Sequence, residues 1–262
     1  MRIYKALWLE WFKLRKRLAT WGVYIGFLTL TMFVLGVPFY SARHRGAYWG
    51  FPEAWEDILT LGAPIASIFG AVLVALTVSS EFEWRTCRQN VIDGLSKDEW
   101  FLGKLLSVPG ICVALYGTQI ILGAVLAFLD THPAHKAAVS YPLSTYVMTG
   151  AGALLGMSCY SLMALLISIG VRSAGPAIGL TLIYQVFDYI AARTLRGFEL
   201  DGIAALLPFQ VNIALLEFKQ YLPQPSRALD YHWSTPNLLL AGIIWAAAFA
   251  ATARWLYLRR DL

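Results

Sequence analysis

Long runs with at most one charged residue alternate with short polar breaks along the chain, and each run is apolar on every face. A helix needs about 20 apolar residues to cross about 30 Å of hydrocarbon, with a lower limit of about 17. Six segments fall in that range: 18–39, 59–79, 105–129, 143–171, 175–192 and 237–257. The strands of a membrane barrel would alternate apolar and polar residues over about ten positions, which these runs do not do. A bundle of helices, which satisfies its backbone hydrogen bonds within each segment, fits the pattern. The expected fold is therefore all-α integral membrane, one transmembrane domain over residues 1–262 with six transmembrane helices.

The polar breaks carry patterns of their own. In residues 1–17 (MRIYKALWLEWFKLRKR), Ile3, Leu7, Trp8, Trp11, Phe12 and Leu14 gather near one broad face, with Lys5, Glu10, Lys13, Lys16 and Arg17 elsewhere. This is the pattern of an amino-terminal amphipathic helix in the membrane interface, where tryptophan sits well. The other reading is a charged flank that orients the first span. Residues 80–104 form a polar island between the second and third spans. Glu81, Glu83, Arg85 and Arg88 precede an amphipathic stretch with Val91, Ile92 and Leu95. Asp93-Gly94 supplies a stop, and Ser96 three residues before Glu99 supplies a new amino-terminal cap. Helix, break, helix is the expectation, either as a solvated hairpin or as an element that receives force from a soluble partner.

Residues 193–235 are too many for a structureless connection in a compact domain. Ile203–Phe209 and Val211–Phe218, separated around Pro208, read as short helices that dip toward or lie on the outer leaflet. Tyr221–Pro225 reads as an extended turn, and Tyr231, His232 and Trp233 as an aromatic approach to the last span. A re-entrant gate and a plain membrane-surface loop both fit.

Composition agrees with a membrane solvent, because 58% hydrophobic and 14% charged residues leave few polar side chains to solvate a globule. The net charge of +5 falls mainly on one rim. Lys and Arg mark cytoplasmic flanks, and Arg2, Lys5, Lys13, Arg15, Lys16, Arg17, Arg85, Arg88, Lys97, Lys104, Arg172, Arg259 and Arg260 share one side when six helices are threaded. Both termini are thus expected in the cytoplasm, and a nucleic-acid partner is unnecessary to explain the charge. The first apolar run is too long, and too far from the start, for the core of a cleavable signal. Cys87, Cys112 and Cys159 have no partner on an oxidising side and read as packing residues.

Polar side chains inside the spans are few, and an ionisable one is a functional candidate by default. Asp188 is the clearest, with Gln185 about one turn before it; a cation or proton path and a hydrogen-bonded contact near the outer boundary both fit. Thr118 and Gln119 either line a cavity or join helices. Gly150–Gly152 with Gly156 gives small-residue spacing for close helix packing. Asp130-Thr131-His132-Pro133-Ala134-His135 is a poor metal clip because Pro133 breaks the helix, so no metal is expected. No nucleophile with a base, and no H-E-x-x-H pair, lies within a span; this chain is not expected to be an enzyme by itself.

The run Glu83-x-Arg85-Thr86-x-Arg88, followed by Gly94-Leu95-Ser96-Lys97 and Gly103-Lys104, resembles the cytoplasmic segment of ABC-2 type permeases, particularly the bacitracin and lantibiotic export or immunity group. Lys97 stands where that group usually has arginine, which keeps the charge but not the planar fork. The resemblance implies a type V exporter architecture with a cytoplasmic coupling helix between helices 2 and 3. It implies Glu83, Arg85, Arg88, Asp93 and Lys97 as the residues that transmit motion from an ATPase subunit present in two copies. It further implies a second permease chain, either identical or related, and residence in a bacterial inner membrane. The cargo would be a hydrophobic or amphipathic substrate such as a peptide antibiotic or a lipid-like molecule, with a role in antibiotic resistance. ATP and magnesium would sit on the partner, since the chain contains no G-x-x-x-x-G-K-[ST] loop. Two other classes fit the residues: an ion-coupled carrier or channel that uses Asp188, and a non-transporting membrane anchor for a soluble partner.

Overall fold

A computed structural model describes residues 2–45, 48–52, 54–92, 94–131, 141–216 and 233–259, apart from the side chains of residues 2–6, 88 and 91. The described residues are helical and contain no strand. In chain order the helices are α1 (Arg2–Lys16), α2 (Leu18–His44), α3 (Ala54–Thr60), α4 (Ala63–Glu83), α5 (Thr86–Ile92), α6 (Lys97–Asp130), α7 (Leu143–Val171), α8 (Ala174–Gly197), α9 (Asp201–Ala205), α10 (Pro208–Leu216) and α11 (Thr235–Arg259).

Helix α7 is the axis of the bundle and packs against α4, α11 and α10, with smaller contacts to α8 and α6. Its buried side includes Gly152, Ala153, Gly156, Ala164 and Ser168, small residues that let neighbouring backbones approach. The peripheral helices bury only a stripe each: Phe27, Thr31, Leu35 and Ala42 on α2, and Leu238, Gly242, Ala253 and Tyr257 on α11. Their other faces expose large apolar side chains such as Phe33, Val37, Ile243, Ile244 and Trp255. A surface of this kind is stable in hydrocarbon and not in water.

Five segments are long and apolar enough to cross a membrane: Leu18–His44, Ala54–Glu83, Lys97–Asp130, Leu143–Val171 and Thr235–Arg259. The protein thus has the character of a multi-pass membrane protein. The sixth expected span lies within α8, a 24-residue helix that is not among the five. Gln185 and Asp188 dilute its apolar run.

Several boundaries differ from the sequence reading. The second span is broken at Leu61-Gly62, so that α3 and α4 share the crossing; Pro64 opens α4, where its missing N–H costs nothing. The third begins eight residues before its expected start. Ser96 Oγ accepts from the Glu99 amide at 3.1 Å while the Ser96 amide donates to Glu99 Oε2 at 2.9 Å, a capping box that starts the helix at Lys97 and runs it unbroken into the apolar segment. The break before it falls at Gly94, whose φ of 98° suits a residue without a side chain. In the segment expected outside the membrane, α8 continues to Gly197, and α9 and α10 supply two short helices with Pro208 opening the second. Residues 217–232, which include Tyr221–Pro225, Tyr231 and His232, lie outside the described residues, as do His132 and His135.

Helix α10 dips into the bundle. A Cβ on Gly156 would stand 2.6 Å from Asn212 Oδ1 and 3.3 Å from the Asn212 carbonyl oxygen, so only glycine admits α10 this closely to α7. Gly156→Ala is expected to destabilise the protein by about 1–3 kcal/mol through overpacking. Gly110→Ala, where a Cβ meets nothing within 4 Å, is expected to be neutral. Thermal melts in detergent of the two variants beside wild type check this.

Candidate functional site

Four charged side chains from three helices meet at one end of the bundle. Glu81 in the last turn of α4 is fully buried, and Lys104 in α6 is 1% exposed. Lys104 Nζ donates to Glu81 Oε1 at 2.7 Å and also to Glu10 Oε2 of α1. Lys13, one turn after Glu10, donates to the same Glu81 oxygen at 2.8 Å. Glu81 Oε2 accepts from Trp100 Nε1 at 2.9 Å. Two carboxylates and two ammonium groups balance, and each buried oxygen has a donor. This is the condition under which charges survive removal from water.

The helix α1 is docked by the side that carries Glu10 and Lys13, which leaves its aromatic face outward. Glu10, Lys13 and Leu14 face α4 and α6, while Trp8, Trp11 and Phe12 are exposed. Leu14, grouped by periodicity with the tryptophans, is buried beside Glu10 and Lys13, and Lys16 is exposed beside Phe12. In a membrane the aromatic face has lipid as its partner, and the charged face must find countercharges inside. The link to α2 is tied down as well. Arg17, between α1 and α2, donates to Ser80 Oγ and to the Thr77 carbonyl at 3.3 Å, and its guanidinium lies 5.2 Å from the Trp84 ring centroid.

The network extends to the end of the last helix. Trp100 stacks on Tyr257 of α11 with centroids 4.7 Å apart, and the Tyr257 hydroxyl lies 3.6 Å from Cys87 Sγ of α5. One cluster thus joins α1, α4, α5, α6 and α11. Burial pushes the Cys87 thiol above its ordinary pKa, which leaves little thiolate at neutral pH, and the thiolate is the reactive form. Maleimide labelling of Cys87 is expected to be slow in the folded protein and fast in denaturant; rapid labelling of the native protein would mean that α5 opens.

Of the island residues singled out from sequence, Glu83, Arg85 and Lys97 have described side chains, and these three occupy separate places. Glu83, expected to reach a partner, is engaged within the chain: its Oε1 accepts from Ser173 Oγ and from the Ala174 amide, both at 2.8 Å. It caps the amino terminus of α8, where a negative charge is favoured by the helix dipole. Arg85 is exposed at a left-handed turn with φ of 57°, and Lys97 is half-buried in the first turn of α6. The Arg88 side chain and Asp93 lie outside the described residues. Asp98, beside Lys97, pairs with Arg254 of α11 at 2.9 Å on the surface.

The polar groups inside the spans occupy separate places. Gln119 is fully buried and donates to the Ile58 carbonyl at 2.7 Å, beside the Leu61-Gly62 break, where Tyr116 also donates to the Leu59 carbonyl at 3.2 Å. These two side chains serve backbone groups that the break between α3 and α4 exposes. Thr118 bonds the Ala114 carbonyl at 2.8 Å and lies 3.1 Å from the Tyr24 hydroxyl of α2. Gln185 borders a cavity of about 190 Å³ together with Ser67 and Asn212. Asp188 is buried; the Tyr184 hydroxyl donates to its Oδ1 at 3.4 Å, and the start of α10 at Phe209 and Gln210 adjoins it.

Sequence reasoning missed the joining of Glu10, Lys13, Glu81, Lys104 and Trp100. A signal for it existed in Lys104, which follows Phe101-Leu102-Gly103 and precedes Leu105-Leu106, an apolar setting in which a lone ammonium requires a carboxylate. Which carboxylate it takes is not written locally. Among the described residues no group of three His, Cys, Asp or Glu side chains could hold a metal ion.

No curated protein matches the chain. Residues 18–262 match a family described as "Protein of unknown function (DUF2705)", and the chain belongs to that family.

Proposed function

We propose that this protein is the permease half of a split ATP-binding cassette exporter of the ABC-2 type, moving a hydrophobic or amphipathic substrate outward by alternating access. The observation that carries the reading is the arrangement at the charged end. A surface element made of α5, the Gly94 break and the first turn of α6 is joined through Glu81, Trp100 and Lys104 to α1 and two crossing helices. An element anchored in this way can pass a push from a soluble motor into the spans. Two copies of an ATPase subunit would supply ATP and magnesium, and a second permease chain would complete the translocation path.

The contacts also support six crossings, which bring both termini to one side; the excess of Lys and Arg on that side favours the cytoplasmic face of a bacterial inner membrane. Helix α8 begins beside Glu83 and leads to α9, where the Gly202 carbonyl accepts from Trp233 just before α11 at 2.9 Å. Helix α11 then returns to Trp100, so α8 covers the same thickness as a helix that crosses. In this reading α5 is the coupling helix, flanked by two cations that reach the surface, Arg85 at the turn before it and Lys97 in the first turn of α6, and Glu83 works indirectly by holding α8 to α4.

Tagged protein purified from its native host is expected to recover an ATPase subunit, and an Arg85→Ala, Lys97→Ala variant to recover at least several-fold less. Both side chains reach the surface, so the variant is expected to fold. Absence of any ATPase from the wild-type preparation would sink the reading. The burial of the Asp188 carboxyl within α8 favours a second reading, an ion-coupled carrier. That reading requires transport without an ATPase, abolished by Asp188→Asn.

A further inference from the structure

Two adjoining recesses lie where α1 meets α2 and α6. The first, about 340 Å³, is bordered by Trp8, Trp11, Phe12, Arg15, Lys16 and Trp21. The second, about 390 Å³, shares Trp11, Arg15 and Trp21 with it and runs along Leu73, Ile111 and Leu115 into the apolar part of the bundle. The indole of Trp21 is held by a hydrogen bond to the Arg15 carbonyl at 2.9 Å, which sets the wall between the two.

The charges at the mouth are one-sided. Glu10, the acidic residue of α1, is committed to Lys104 and Lys13. Arg15 and Lys16 are exposed and pair with no carboxylate among the described residues; Lys16 Nζ lies 5.7 Å over the Phe12 ring. Two cations and three indoles at the mouth of an apolar cleft match the two ends of one molecule. Tryptophan favours head-group depth, basic side chains favour anionic head groups, and the cleft beyond takes hydrocarbon.

We infer that this cleft is a seat for a single anionic phospholipid, its phosphate between Arg15 and Lys16 and one acyl chain along Leu73, Ile111 and Leu115. This differs from the general attraction of a basic rim to a bilayer, because one molecule is held in a place with walls. The seat touches α1, α2, α4 and α6, so its occupant fills the gap beside the helix that carries Glu10 and Lys13. The inference requires a membrane-spanning bundle and does not depend on the transport reading.

Native mass spectrometry of the delipidated full chain in non-ionic detergent tests it, with phosphatidylglycerol and phosphatidylcholine of the same acyl chains as probes. The first phosphatidylglycerol is expected to bind roughly thirtyfold tighter than phosphatidylcholine, the scale that two basic side chains near an anionic head group give at about 1 kcal/mol each. Arg15→Gln with Lys16→Gln should bring it down to the phosphatidylcholine level. Ala114→Phe, which fills the cleft from its exposed position on α6, should abolish this binding of either lipid while leaving the melting temperature near that of wild type. The charge variant lies on the surface and serves if the cleft variant fails to fold. Equal affinity for the two lipids in wild type, or phosphatidylglycerol binding that survives the charge variant or a folded cleft variant, overturns the inference.

Discussion

Replacing Lys104 by methionine is expected to destabilise the bundle by about 3–5 kcal/mol, because it leaves buried carboxylates short of a countercharge. Its ammonium serves two carboxylates, Glu10 and Glu81, that are 7% and 0% exposed. After the change only Lys13 remains to balance both. The loss should lower the melting temperature of the detergent-solubilised protein by on the order of 10 °C. The double variant Glu81→Gln, Lys104→Met restores the charge balance, with Glu10 and Lys13 still 3.5 Å apart, and is expected to recover most of the loss. Replacement of a whole buried pair is often nearly neutral, whereas removal of one partner is not. A Lys104→Met protein that melts with wild type would mean that the four charges are solvated separately. If the proposed exporter reading holds and the network transmits motion, the double variant is expected to fold and to copurify with the proposed ATPase while transporting poorly.

The second large effect is expected at the opposite end. Asp130 is the last residue of α6, the end of a helix where its dipole disfavours a negative charge. Tertiary contacts explain the acid there: Asp130 Oδ1 accepts from Arg43 Nε at 3.0 Å and Oδ2 from the buried Trp49 amide at 2.8 Å. Trp49 Nε1 in turn donates to Asp57 Oδ2 of α3 at 2.8 Å. Asp130→Ala is expected to cost about 1–3 kcal/mol, chiefly because the Trp49 amide is left without its acceptor. The damage should be local. Hydrogen exchange is expected to rise over residues 48–60 and to stay unchanged around Glu81 and Trp100. Asp130→Asn keeps an acceptor and should lie between wild type and alanine. Uniform exchange across the protein in the alanine variant would show that the loop does not depend on this carboxylate.

The legible parts of the fold were those set by neighbours in sequence. The apolar runs located the crossing helices, since hydrocarbon forces the backbone to bond within each segment. Ser96 and Glu99 announced their capping box because both partners lie within one turn. The small residues around Gly156 indicated close packing, although the partner at Gly156 itself is the short helix α10 rather than a crossing helix. The break at Leu61-Gly62 was not legible, because Gly62 in an apolar run looks like a packing glycine. It takes Gln119 and Tyr116 of α6 to satisfy the carbonyls beside it.

The candidate site was less legible than the fold. Glu83 looked like a surface contact because the island is polar, yet it caps a helix that begins 91 residues later. Lys104 looked like the charged flank of a span, and Glu10 like the solvated face of an interfacial helix. Their union spans 94 positions.

By itself the sequence determined the solvent of this protein, its helical class and the approximate position of each long helix, because hydropathy and capping act between residues one turn apart. The tertiary structure decided which face of α1 docks, where Glu83 is used and which charges share the interior. Those outcomes depend on the cost of removing charges from water, and only the packed helices reveal which opposite charges lie close enough to offset it.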